Sequence, residues 1–140
     1  MIRKILCFVV IGIFLGVTAV VADSSDREKA AIASAEKWLK LVDQGKYIES
    51  WKESADYFKR AVSQEQWEQA MKSGREPLGK LIFRKVTNAL YTTSLPGAPD
   101  GQYVVIQFNT SFENKKSGIE TVTPMVDKDG RWRVSGYYIK

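Results

Sequence analysis

The sequence predicts an α+β domain, with about three helices packed on one face of a four-stranded antiparallel sheet. Three observations carry that expectation. Apolar residues recur at helical spacing up to Pro77 and at alternating spacing beyond Leu78. The segments between the alternating runs are turns too short for a helical crossover, so neighbouring strands must run antiparallel. No Pro/Gly-rich linker, repeat or low-complexity tract separates the two halves, so they should share one core.

Taken in order, residues 1–22 read as a secretory signal peptide. Arg3 and Lys4 form a basic start, Ile5 to Val17 an apolar run, and Val20 and Ala22 the −3 and −1 positions of a cleavage site after Ala22. The uncharged stretch Ile5 to Ala22 is long enough that an uncleaved anchor is the alternative. Gly12 and Gly16 match a G-x-x-x-G spacing, which carries little weight in a signal peptide. Cleavage would place the remaining residues, 23–140, in the periplasm or outside the cell as a single domain.

The first helix should start near Ser25 or Asp26, with Asp26 and Glu28 at its positive end. Ala31, Ala35, Trp38, Leu39 and Val42 form its apolar stripe, and Gly45 stops it. A second helix is expected from Tyr47 to about Lys59, burying Ile48, Trp51, Ala55 and Phe58. Ser63 with Gln66 reads as a capping box that opens a third. Trp67, Ala70 and Met71 would face the core, and Gly74 and Pro77 end it.

Lys80 to Tyr91 supplies the first strand. Leu95-Pro-Gly-Ala-Pro-Asp-Gly101 is turn chemistry. In Gln102 to Phe112, Val104, Ile106, Phe108 and Phe112 share a face opposite Gln107, Asn109 and Ser111. Asn114 to Gly118 is expected as a polar turn, Gly118 to Asp127 as the third strand, and Asp127 to Gly130 as a tight hairpin. The fourth strand, Arg131 to Ile139, should turn Trp132, Val134 and Tyr138 one way and Arg131, Arg133 and Ser135 the other.

Composition excludes several chemistries. The 140 residues contain no histidine, and the single cysteine, Cys7, lies in the signal segment. The exported domain therefore lacks imidazole, thiol and zinc-type chemistry. No metal site and no cofactor is expected. Charge is uneven: residues 23–77 hold 10 basic and 11 acidic groups, residues 78–140 hold 9 and 5. The sheet half could meet an anionic partner through Arg84, Lys85, Arg131 and Arg133, or these could form a solvated basic face. Nucleic acid is not an expected partner, because no binding motif is present.

Several separated motifs carry a resemblance. Trp38, Asp43-Gln-Gly45-Lys-Tyr47, Ser50-Trp51, Arg75-Glu-Pro-Leu-Gly79, Leu95-Pro-Gly-x-Pro-Asp-Gly101, Phe112 with Glu120-Thr121, and Trp132-Arg-Val-Ser-Gly-Tyr137-Tyr138 are similar to a family of exported bacterial domains of unknown function, numbered 4019. The likeness spans roughly residues 28–139. That family resembles nuclear-transport-factor-2-like (cystatin-like) cones, which implies a strongly curved sheet. It implies no activity and no catalytic residues.

Cone-shaped domains often hold a pocket between helices and sheet, as ketosteroid isomerase-like enzymes do with a carboxylate base and oxyanion donors. Glu120 shares strand parity with Val122 and Val126 and is the candidate base, with Tyr103, Tyr137 and Tyr138 as donors. The structural alternative pairs Glu120 with Arg75, Arg84, Arg131 or Arg133. Trp38, Trp51, Trp67 and Trp132 could stack on a ligand, but each falls on the apolar stripe of its own element, which is what a core needs. Trp51, beside Ser50 and Lys52 on a short helix, is the expected exception. The ligand-binding candidates are thus Trp51, Arg75, Tyr103, Glu120, Tyr137 and Tyr138. Sequence reasoning ends at three classes. The first is a non-catalytic envelope module binding a small molecule or an envelope protein. The second is a small pocket enzyme. The third is an assembly subunit, dimerising through the sheet. Membrane contact is expected only through an uncleaved signal.

Overall fold

The computed structural model describes residues 24–140; the signal segment and cleavage site expected from the sequence lie outside the described residues. Helix α1 spans Ser24–Asp43, α2 Tyr47–Lys52, α3 Asp56–Ala61 and α4 Gln64–Gly74, followed by a 3₁₀ turn at Glu76–Leu78. Strands β1 (Leu81–Thr92), β2 (Tyr103–Phe112), β3 (Lys115–Val126) and β4 (Trp132–Ile139) form one antiparallel sheet in the order β1-β2-β3-β4. The architecture is α+β, with four α-helices among the described residues rather than about three.

Helix α1 lies on the sheet through Ala31, Ala35, Trp38, Leu39 and Val42, all buried. Gly45, at φ +73°, ends it in the left-handed conformation that glycine adopts without a Cβ penalty. The expected second helix is broken into α2 and α3. The Ala55 N–H, which an unbroken helix would give to the preceding turn, donates to Val134 O on β4 at 2.8 Å. The Trp38 indole N–H bonds Ser50 O at 2.8 Å and Ser54 Oγ at 3.0 Å, fixing the break from the other side. Ala55 and Phe58 are buried as expected, but Ile48 is 38% exposed, and Ala70 on α4 is also exposed. The Ser63–Gln66 capping box is present at the start of α4.

The inner rows of β2 and β3 are Val104, Ile106, Phe108, Phe112 and Val122, each 1% exposed or less. The turn after β2 is shorter than expected. Only Glu113 and Asn114 lie between the strands, and β3 begins at Lys115. In β4 the expected parity fails beyond Val134. Pro124 pairs with Val134 but Thr123 pairs with Gly136, leaving Ser135 as an extra residue. Pro124 has no N–H to give to the ladder, so a bulge opposite it loses less than one elsewhere. The Ser135 hydroxyl donates to Thr123 O at 2.7 Å and holds the bulge. Side chains beyond it are inverted. Tyr137 turns onto the core, and Tyr138, 58% exposed, turns away from Trp132 and Val134.

Candidate functional site

The space between helices and sheet is filled. Trp38, Trp67, Phe58 and Tyr137 stack with ring centroids 5.2–6.2 Å apart. Their N–H groups are satisfied inside the helical layer: Trp67 donates to Ser50 Oγ at 2.9 Å, and Trp51, half-buried, donates to Val62 O at 2.7 Å. Interlocked aromatics with paired donors make a core, not a ligand face.

Glu120 projects from β3 beneath this cluster and is fully buried. Oε1 accepts from Arg84 Nε at 2.7 Å and from the Thr110 hydroxyl at 2.6 Å. Oε2 accepts from Arg84 Nη2 at 3.2 Å and from the Tyr137 hydroxyl at 2.5 Å. Four donors occupy the four acceptor positions of the carboxylate. Arg84 in turn donates to Asp43 at the end of α1, with contacts of 2.7 and 2.9 Å. Asp43 also takes Arg75 Nη2 at 3.3 Å, while Arg75 Nη1 donates to Gly79 O at 2.6 Å and the guanidinium lies 4.4 Å from the Phe112 ring centroid. Two carboxylates and two guanidiniums alternate in one chain, Glu120–Arg84–Asp43–Arg75, that is neutral as a whole. Burial alone would lower the pKa of Arg84, but its bonds to Asp43 and Glu120 outweigh that and raise it. Burial first, and then the neighbouring Glu120 charge, push the Tyr137 phenol up, so it stays a protonated donor.

This geometry gives Glu120 the structural pairing with Arg84 that the sequence left open. A base needs a lone pair directed at its substrate, and here every lone pair is taken. Of the proposed oxyanion donors, only Tyr137 meets Glu120. Tyr103 opens β2 on the outward row, where its hydroxyl donates to Pro99 O at 2.5 Å and pins the Leu95–Gly101 loop. Tyr138 is on the outer face.

The four basic candidates do not share a face. Arg84 is drawn inward, while Lys85 beside it points out. Arg131 is exposed, and Arg133 is paired with Asp129 at 2.8 Å and Asp127 at 3.4 Å. Among the described residues no group of His, Cys, Asp and Glu is placed to hold a metal ion.

An open cleft of about 620 Å³ lies away from the filled interior. The end of α1, the start of α2, α4, the Arg75–Gly79 segment and the β2–β3 turn build it. Arg75 is the one ligand-binding candidate on its wall. Tyr47, 8% exposed, lines it as well. Sequence reasoning missed Tyr47, Asp43 and Thr110 as site residues. Asp43 lies four residues after Leu39 on the buried stripe, and Thr110 falls between Phe108 and Phe112 on the inner row of β2. A polar residue in an apolar row was the available signal in both.

Residues 34–137 match a family described as a protein of unknown function, DUF4019. No curated protein and no solved structure matches the chain. A match over that share of the sequence shows membership, and the chain belongs to the DUF4019 family.

Proposed function

We propose that this protein is an exported, non-catalytic binding module of the cell envelope, and that its ligand sits in the open cleft beside Arg75 and Tyr47. One observation carries the reading. The volume of about 620 Å³ lies in the range of small-molecule sites, whereas the interior is packed with rings and its carboxylate is saturated. Export rests on the basic, apolar and small-residue order of residues 1–22, with cleavage after Ala22. NMR titration of the ¹⁵N-labelled protein with a panel of envelope ligands tests the binding reading. Saturable shifts confined to the amides around Gly45 and Gly79 are expected; shifts elsewhere, or none, would refute it. The intact mass of periplasmic material tests export, and a chain beginning before Asp23 would refute cleavage at that bond.

A second reading, an assembly subunit that dimerises through the sheet, is favoured by the outer face. Phe83, Leu90, Ile119 and Tyr138 stand 41–59% exposed there. The buried Thr121 hydroxyl, between Gln107 and Tyr138 in register, has no partner among the described residues. Apolar area of this kind on one face commonly marks a contact surface.

A further inference from the structure

The walls of the cleft carry charge of both signs, much of it unspent. Asp43 is committed to Arg84 and Arg75, and Glu68 is paired with Lys72 at 2.9 Å. Lys46, Lys80, Glu49, Glu76 and Glu113 also line the cleft and form no ion pair among the described residues. Glu113 is held over the backbone of Gly79; a Cβ built on that glycine would lie 3.1 Å from Glu113 Oε2. A ligand of single charge would meet like charges as readily as opposite ones.

The floor adds a directed donor. Tyr47 is more than nine-tenths buried, and its hydroxyl makes no hydrogen bond among the described residues. Burial first, and then Glu76, raise its pKa, with Arg75 and Lys72 acting the other way, so it remains an O–H donor. The hydroxyl opens to the cleft, where a ligand acceptor would give it a partner. Arg75 strengthens the same corner. It ends the buried ionic chain with one contact of 3.3 Å to a carboxylate already shared with Arg84, and its Nε has no partner. Its positive charge is the least neutralised in that chain.

We infer that the cleft takes a small zwitterion, of the kind presented by a short peptide with free ends. Its carboxylate lies against Tyr47 and the Arg75–Lys72 side, and its ammonium lies against Glu76 and Glu113. Val42 and Ile48 supply the apolar wall for a small side chain. This assignment rests on the binding reading above and adds the chemistry of the ligand to it.

The test uses trialanine with both ends free, N-acetyl-trialanine and trialanine amide, titrated into the ¹⁵N-labelled protein. Trialanine should shift the amides of Gly45 and Gly79 saturably, and each capped form should bind about tenfold more weakly, the loss of one charge-assisted hydrogen bond. Tyr47→Phe should reduce the difference between acid and amide while keeping the preference for a free amine. Glu76→Gln should reduce the preference for the amine while keeping that for the acid. Spectra of the free variants that match the parent elsewhere show that the fold is kept. Capped peptides binding as tightly as the free one would overturn the assignment. So would silence towards trialanine from amides that inorganic phosphate or glucose does shift, and that result would leave the binding reading standing. Silence of those amides towards every probe would end both.

Discussion

At the residue scale, Glu120 is the residue whose meaning changed most between sequence and structure. Its strand parity points it inward, but parity says nothing about which arginine meets it. Arg84 does so because β1 pairs with β2 in a register that sets Arg84 opposite Thr110, and β2 pairs with β3 so that Glu120 lies opposite Phe108. Removing one partner of a buried ion pair strands the other charge, so Glu120→Ala should lower stability by about 3–5 kcal/mol in urea denaturation. A loss below about 1 kcal/mol would mean that the carboxylate is not integral to the fold. Tyr137→Phe removes one donor and keeps the ring, and should cost about 1–3 kcal/mol in the same assay. Asp127 supplies a pH dependence. Burial works to raise its pKa, but the N–H groups of Lys128 and Asp56, together with Arg133, more than offset this and hold it below the ordinary carboxylate value. The unfolded chain then binds the proton first. The contribution of Asp127 is present above the unfolded pKa and is lost as pH falls below about 4. Asp127→Asn should flatten that decline in Tm between about pH 5 and 2.

At the element scale, the single-helix expectation for Tyr47 to Lys59 failed for a tertiary reason. Local propensity there is helical, and no proline or glycine interrupts the segment. The hydrogen bond from Ala55 N to Val134 O, together with the two bonds from the Trp38 indole, outweighs one helical turn. The β4 bulge has the same character: alternation reads Tyr138 inward, and one extra residue opposite Pro124 reverses it. By contrast, α1 with its glycine stop, the Ser63 capping box and the Asp127–Gly130 turn were legible, because each depends on residues within one or two turns of chain. Gly79 joins two elements. At φ +77° and with a built Cβ only 2.9 Å from Glu113 Cβ, it has neither the backbone freedom nor the space for a side chain. Gly79→Ala should destabilise by more than the roughly 1 kcal/mol usual for glycine-to-alanine strain, since the β2–β3 turn must also shift. Calorimetric Tm against the parent measures it.

At the scale of the whole molecule, the sheet presents two unlike faces. The inner face carries the core and the ionic chain. The outer face leaves Phe83, Leu90, Ile119 and Tyr138 to solvent. If that face joins two copies, light scattering should give twice the monomer mass at micromolar concentration, and Leu90→Lys should return the protein to monomer without lowering its Tm. A parent that is monomeric at high concentration would remove the assembly reading. The cleft belongs to this scale too, since α1, α2, α4 and the β2–β3 turn each contribute a wall.

The sequence by itself determined the class of the fold, the order of its elements and the chemistries closed to residues 24–140. These follow from local periodicity, turn residues and the absence of histidine and cysteine, all readable along the chain. Only the tertiary structure decided that Glu120 is saturated by Arg84, Thr110 and Tyr137, that the interior is filled, and that the open cleft lies at Tyr47 and Arg75. The reason is physical. Asp43, Arg75, Arg84 and Glu120 are brought together by strand register and helix docking. Register depends on bulges and on long-range hydrogen bonds that no local pattern encodes.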